Sequence, residues 1–413
     1  MQPKIFKEFA FFRQQPHNMR ILLLTNMCYA FVLPVVEIFV GAYIMRNTNN
    51  PSYVALYQLA MYIGIVIASI INGELLKRFQ VKHLYCFGIL VSGLSMFAMM
   101  GLRVVEIVEL FIAGLSMGVA SGFFWANRYL LALNSTTDSN RNYFFGLESF
   151  FFSVCSIIVP IGVGGFLVWI AGSQWNGMEI DMNAAYQIVT LFVFVITIIA
   201  CAILFRGSFH NPDQKKYLYV KFEAVWNKML LLASLKGLVQ GFLVTAPAIL
   251  VMYLLGGEGE LGVIQGIGGL LTAVIVYVLG RISRPQHRII IFSIGIIIFF
   301  IGTLVNGILF SSVGVIVFIV CKVFFQPLHD LAYYPIMMRC IDVVSHKEGR
   351  NEYTYIMSHE VGLFVGRALG LGLFIAMAWF VSEIFALKYA LIIVSLIQIL
   401  SIPLAKYIIK VNH

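Results

Sequence analysis

Residues 122–165 decide the architecture: Gly122-Phe123-Phe124-Trp125-Ala126-Asn127-Arg128, a short polar loop, Arg141-Asn142-Tyr143-Phe144-Phe145-Gly146-Leu147-Glu148, and then Pro160-Ile161-Gly162-Val163-Gly164-Gly165. The stretch sets Arg128 and Glu148 inside apolar runs long enough to be helices. Ionisable side chains in such runs are costly to bury, so they are turned inward, paired and tied to function. A second copy follows, where Phe325-Gln326-Pro327-Leu328-His329-Asp330 leads through a polar loop to Arg350-Asn351-Glu352-Tyr353, then Glu360, Arg367 and a run of glycines. Aligning Arg141-Asn142 on Arg350-Asn351 also brings Gly73 and its basic turn close to Gly280 and its basic turn. Two landmarks at nearly one offset indicate a parallel duplication.

Outward from these motifs the composition agrees. Of 413 residues, 60% are hydrophobic and 11% charged, with mean hydropathy +0.91, which excludes a soluble domain of this length. Apolar runs of about 20 residues, enough to cross a bilayer as helix, recur about twelve times. Barrel strands would instead alternate apolar and polar positions over about ten residues. The expected fold class is an all-α polytopic membrane protein with twelve transmembrane helices in two pseudo-symmetric six-helix bundles. The spans expected are 19–44, 53–76, 84–102, 105–133, 143–171, 185–205, 227–255, 261–279, 289–309, 313–338, 353–380 and 385–409. They divide the chain into an N-terminal bundle (1–206), a cytoplasmic linker (207–226) and a C-terminal bundle (227–413).

The formal charge of +9 suggests nucleic acid until the basic residues are placed. Lys4, Lys7, Arg13 and Arg20 precede the first helix, Lys77, Arg78 and Lys82 follow the second, and Arg141 follows the fourth. Arg206, Lys215, Lys216, Lys221 and Lys228 fill the central loop. Arg281, Arg284 and Arg288 follow the eighth helix, Arg339, Lys347 and Arg350 the tenth, and Lys406 and Lys410 close the chain. The opposite loops hold Arg46, Arg103 and Lys388. Alternate loops are basic, so both termini are expected in the cytoplasm and the protein in the cytoplasmic membrane, with no nucleic-acid partner. Phe6, Phe9, Phe11 and Phe12 among basic residues suit a helix lying on the inner leaflet rather than a cleaved signal. Cys28, Cys86, Cys155, Cys201, Cys321 and Cys340 lack metal-ligand spacing and read as small apolar residues.

Helices three, six and nine carry no charge within their apolar spans, and twelve only Lys388 and Lys406 near its two ends, whereas one, four, five, seven, ten and eleven carry charge. A helix facing lipid is apolar all round, while one lining a watery cavity need not be. Every third helix therefore reads as an outer support. With Gly73-Glu74-Leu75-Leu76-Lys77-Arg78-Phe79-Gln80-Val81-Lys82 after the second helix, the chain resembles the major facilitator superfamily over essentially its whole length. That resemblance implies a central cavity lined chiefly by helices 1, 4, 7 and 10. The motif is degenerate, with Lys77 at the usual Asp and Gln80 at the second glycine, so its ion-pair latch does not carry over to Lys77. Pro160, Gly162, Gly164 and Gly165 loosely resemble the helix-5 motif of proton-driven exporters, one residue out of register.

Lys322 lies about nine residues into the tenth helix, near the midplane, and Gln326, His329 and Tyr333 follow at i+4, i+7 and i+11 on its face. With Lys236 and Gln240 on the seventh helix and Arg367 on the eleventh, these form the candidate substrate site. Three cations there favour a carboxylate or phosphate, with Asp330 and Glu360 in structural pairs as the competing arrangement. Trp125 is a further candidate for the cavity wall, competing with ordinary packing. Glu37, the acid of the first helix, would take up and release a proton as its surroundings wet and dry, as would Glu360 and Asp330. Arg128 and Glu148 lie at similar depth on adjacent helices and suit an inner gate latch better than a ligand site. His329-Asp330 and His359-Glu360 are sequence neighbours about 100° apart on a helix and chelate no metal by themselves.

The function expected is secondary active transport by alternating access, coupled to protons, of a small organic anion or zwitterion. The expected partners are substrate, protons and the bilayer, the expected state is a monomer, and no catalytic residue, metal or cofactor is expected. The alternative is a proton-antiport exporter of amphipathic drugs, lipids or metabolites. A membrane-embedded transferase would need longer loops than these, a non-transporting sensor of the same fold would be excluded by uptake or efflux in vesicles, and no phosphate-binding glycine loop is present to use ATP. The charge asymmetry predicts that Gln80→Cys is labelled by an impermeant thiol reagent only after permeabilisation, and Ser173→Cys in intact cells. Labelling of Gln80→Cys from outside overturns the orientation.

Overall fold

The computed structural model describes the backbone of residues 11–102, 106–136, 138–175, 178–209, 218–219, 221–282, 285–350 and 352–411. Lys4, Phe6, Lys7, Phe9, Arg103, Lys215, Lys216, Arg284 and Asn351 lie outside the described residues, as do the side chains of Arg141, Asn142, Arg281, Glu352 and Tyr353.

Among the described residues, 12 helices are long and apolar enough to cross a membrane. In the first half they are α1 (His17–Thr48), α2 (Pro51–Leu75), α3 (Val81–Met100), α4 (Ile107–Ser135), α5 (Asp138–Ile170) and α6 (Met182–Leu204). The second half holds α7 (Ala224–Leu254), α8 (Glu258–Ile282), α9 (Arg288–Leu309), α10 (Ser312–Glu348), α11 (Glu352–Phe380) and α12 (Glu383–Val411). A two-stranded antiparallel ribbon, β1 (Gln174–Trp175) with β2 (Met178–Glu179), joins α5 to α6.

Three helices depart from uniform spans, each for a local reason. Pro34 has no N–H for the carbonyl one turn earlier, and α1 continues past it as a π-helix over Val35–Phe39, the segment that carries Glu37. α10 runs ten residues beyond its expected end at Met338, because Ile341, Val344 and Ser345 remain buried among Arg339, Asp342 and Lys347. Gly349 stops it in the left-handed conformation, φ +62°, where glycine carries no Cβ penalty. α12 is interrupted by a turn at Ile399–Leu400, since the ring of Pro403 clashes with the carbonyl of Ile399.

Helix packing repeats with an offset of one half. α3 packs on α4 and α6 as α9 does on α10 and α12, and α1 packs on α5 and α6 as α7 does on α11 and α12. The two halves are thus pseudo-symmetric bundles. The seam between α7 and α11 is especially close: a Cβ on Gly366 would lie 1.8 Å from the carbonyl oxygen of Ser234, and one on Gly237 2.1 Å from that of Leu363. Ser234 Oγ donates to the carbonyl of Gly362 at 2.9 Å across the same seam. The four-residue spacing of Gly362, Gly366 and Gly370 serves this contact, as small residues do between membrane helices.

By compactness the chain forms one unit from Met1–Val40 with Ile63–Gln214 and a second from Gly41–Tyr62 with Lys215–His413. In the second unit, Arg46 at the end of α1 holds Glu258 at the start of α8 through two bonds of 2.5 and 2.7 Å. Each charge opposes the dipole of its own helix end, which favours the pair further.

The seam predicts that Gly366→Ala destabilises by about 1–3 kcal/mol, the usual cost of overpacking. Gly372→Ala, where a Cβ meets nothing within 4 Å, should leave stability unchanged or slightly raised. Thermal melting of the purified variants in detergent checks both; equal melting temperatures would mean the seam tolerates separation.

Candidate functional site

In the second unit, α7, α10 and α11 bring most of the expected site residues together. Lys236 Nζ donates to Asp330 Oδ1 at 2.7 Å and lies over the rings of Tyr333 and Tyr334, 4.2 and 4.0 Å from their centroids. Arg367 Nη2 and Nε donate to Gln240 Oε1 at 2.8 and 3.3 Å, its Nη1 lies 3.9 Å from Glu360, and its guanidinium covers the ring of Tyr62 at 4.7 Å. Lys236, Gln240, Gln326, His329 and Asp330 share the wall of a small cavity with Val239, Leu243 and Phe325.

The stripe read along α10 divides in two. Gln326 is exposed and Lys322 and Asp330 are half-buried, so the accessible face steps by fours and continues to Tyr334. His329 and Tyr333 are 3% and 0% exposed and stand behind that face. His329 Nδ1 meets Asp330 Oδ1 at 3.2 Å, its Nε2 lies 3.4 Å from Gln398 Nε2, and its ring rests against Phe292 and Phe325. Tyr333 OH bonds His359 Nε2 at 2.6 Å. Residues three apart differ by about 60° around a helix, so a stripe read by spacing includes both the accessible edge and the edge against the bundle.

The first unit holds the other expected cluster. Glu148 Oε1 accepts from Arg128 Nε at 2.9 Å and from Asn26 Nδ2 at 2.6 Å, and its Oε2 accepts from Arg128 Nη2. Asn26 Oδ1 accepts in turn from Tyr85 OH at 2.5 Å. One buried carboxylate thereby ties α1, α3, α4 and α5. Trp125, half-buried, lies 5.1 Å beneath the Arg128 guanidinium, with Tyr129 and Phe152 also flanking it. Trp125 therefore keeps company with Arg128 within its own bundle. Glu37 is exposed on the π segment of α1.

Sequence reasoning did not find Asn26, Tyr85, Tyr62, Tyr334 or Gln398. Asn26 left a signal as an amide deep in an apolar run, whereas three tyrosines among the 19 of this chain left none. Among the described residues, no group of three or more His, Cys, Asp or Glu is placed to hold a metal ion. All six cysteines are free.

The family model described as Major Facilitator Superfamily matches residues 22–371. The chain is 20% identical over 406 residues to "Uncharacterized protein YqgE" of Bacillus subtilis (strain 168), covering 95% of this chain and 86% of that one. Among solved structures it is similar to a POT family transporter in complex with a thioalcohol-conjugated peptide, with TM-score 0.68, 11% identity, and 95% and 97% of the two chains covered. It is also similar to a bacterial homologue of the iron transporter ferroportin in an inward-facing state, with TM-score 0.64, 14% identity, and 93% and 98% covered. At these identities the structural likeness shows the fold.

The Arg128–Glu148 network yields a stability prediction. Arg128→Gln leaves a buried carboxylate without its cation and should cost about 3–5 kcal/mol, most of it recovered by the Arg128→Gln/Glu148→Gln double variant. Melting temperatures of the three proteins test this. A double variant as unstable as the single one would show that the two charges are not coupled.

Proposed function

Because the chain belongs to the major facilitator superfamily, we propose that it is a proton-coupled secondary active transporter of a small organic anion or zwitterion in the cytoplasmic membrane. It works by alternating access, with both termini in the cytoplasm. The observation that carries the substrate class is the wall of the cavity on α7 and α10, where Lys236, Gln240, Gln326, His329 and Asp330 converge, with Arg367 bonded to Gln240. Two buried cations, Lys236 and Arg367, give this wall its sign, and amides beside them suit the remaining oxygens of a carboxylate.

In this reading Lys322, about two turns before Asp330 on the accessible side of α10, is the central substrate contact. Gln326, Lys236, Gln240 and Arg367 complete the shell, and His329 and Tyr333 support it from behind. Glu37, Asp330 and Glu360 are the carboxyls through which protons couple. Arg128 and Glu148 serve as a latch, with Trp125 against the arginine.

Reconstituted protein under an imposed pH gradient should accumulate a small carboxylate such as succinate or glutamate. Lys322→Ala should weaken binding of that carboxylate by about 2–5 kcal/mol, the cost of removing one partner of a desolvated charge pair. Glu37→Gln should abolish gradient-driven accumulation while sparing exchange. Normal affinity in Lys322→Ala, or a transported ligand that is purely cationic, would defeat the anion reading.

A further inference from the structure

Cys86 and Cys201 face each other across the seam between α3 and α6, in the first unit and away from the cavity on α7 and α10. Cys201 Sγ donates to the carbonyl oxygen of Cys86 at 3.5 Å, and the two thiols share a side-chain hydrogen bond. Both residues are buried. The seam is close on either side of them: deeper in the bundle a Cβ on Gly93 would lie 2.7 Å from Thr197 Oγ1, and toward the helix ends the rings of His83 and Phe205 are 5.7 Å apart. Cys86 stands in the second turn of α3 and Cys201 in the last turn of α6, so the pair lies just under one face of the membrane. In the proposed orientation that face is the cytoplasmic one, where resting thiols stay reduced and a disulfide is transient. A buried thiol packs well as a small apolar group, but packing needs no second sulfur in contact. A disulfide does need side chains that converge, and thiols already bonded to each other reach it by rotation of the side chains.

We infer that Cys86 and Cys201 form a modification site: hydrogen peroxide oxidises the pair to a disulfide that staples α3 to α6, and a thiol reductant reopens it. One thiolate sulfur attacks a peroxide oxygen; the S–O bond forms, the O–O bond breaks, and the hydroxide released takes the thiol proton and leaves as water. The second sulfur attacks the resulting sulfenic sulfur; the S–S bond forms, the S–O bond breaks, and the second thiol proton leaves with that hydroxide as water. Two electrons pass from the two sulfurs to one peroxide. No charge stays behind, which suits an apolar seam better than a thiolate or a sulfinate. Burial selects the oxidant, because a small uncharged molecule enters where a bulky or charged one does not.

The staple acts beside the polar network of the first unit and does not rest on the substrate reading. Tyr85, the residue before Cys86, donates to Asn26 Oδ1 at 2.5 Å, and Asn26 donates to Glu148 at 2.6 Å. A covalent tie at Cys86 therefore fixes the turn of α3 that holds the Arg128–Glu148 pair. The bond also closes a loop containing all of α4 and α5. Closing so long a loop restricts the unfolded chain and raises stability where the native geometry accepts the bond.

The test uses full-length protein in detergent, freed of reductant and treated with hydrogen peroxide at neutral pH. After denaturation the remaining thiols are alkylated, counted by intact mass and mapped by peptide mass spectrometry. Two of the six thiols should be lost, one cross-linked peptide pair should carry Cys86 and Cys201, and dithiothreitol added after denaturation should restore both. Oxidised wild type should melt at a higher temperature than reduced wild type. Cys86→Ser and Cys201→Ser should form no disulfide within the chain and show no such rise. The peptide map reads wild type alone, so the test stands if a variant does not fold. A map in which both thiols are still alkylated, or in which either is paired elsewhere or carried to sulfinic acid, overturns the staple. So does a Cys86–Cys201 bond that lowers the melting temperature, since the bond would then oppose the native seam.

Discussion

A charge inside the hydrocarbon must be neutralised by the protein itself, and the rest of this structure follows from how each half meets that demand. The first unit does so with Arg128 and Glu148, the second with Lys236 and Asp330. The solutions differ in kind. Glu148 is 2% exposed, and its two oxygens accept from Arg128 and from Asn26, itself held by Tyr85, so four helices are committed to one carboxylate. Asp330 shares its cation with two aromatic faces and opens on a cavity. Removing a partner from a saturated buried pair is expensive, whereas exchanging the partner of an open one is not. The first arrangement is a closed tie among four helices, and the second is open to a cavity on one side.

Backbone polar groups face the same demand as charges, and the departures from regular helix fall where proline frees them. The π segment after Pro34 ends at Phe39, and the first of the two stretches that make up the first compact unit ends at Val40. Beyond that point residues 41–62 belong with the second unit, where Arg46 holds Glu258. A contiguous helix thus serves two compact bodies, and its irregular turn lies at the change-over. Glu37 is carried by that turn, which sets an exposed acid at the place in α1 where the regular hydrogen-bond ladder is already broken.

The sequence made the twelve helices legible because a bilayer imposes one length and one composition on every span. The internal repeat was legible because charge inside such spans is rare enough to serve as a landmark. Lys236, Asp330, Arg367, Arg128 and Glu148 were found for that reason. What spacing could not settle was the direction of each group around its helix. His329 and Tyr333 fit the same face as Lys322 by count yet turn into the bundle, because a helical face read by threes and fours spans a wide arc. Tyr62, Tyr85 and Tyr334 were invisible among so many aromatics, although Tyr62 lies against Arg367, Tyr334 against Lys236, and Tyr85 holds the amide that bonds Glu148. Arg46, read as a loop residue, proved to be the partner of a buried glutamate, a relation that depends on tertiary contact alone.

The placing of Lys236 and Arg367 originates one step earlier, in the glycines beside them. Gly237 follows Lys236 and Gly366 precedes Arg367, and these are the positions where α7 and α11 come too close for any Cβ. Close backbones bring the two cations near each other, and the charge of Arg367 is felt at Lys236. Two positive charges confined in this way need more than one negative group nearby, and Asp330, Glu360 and the carbonyl of Gln240 supply it. Were the helices a side chain further apart, each cation would sit with its own acid and the wall would be neutral in patches. With the seam closed, packing alone brings the two cations to facing turns of α7 and α11.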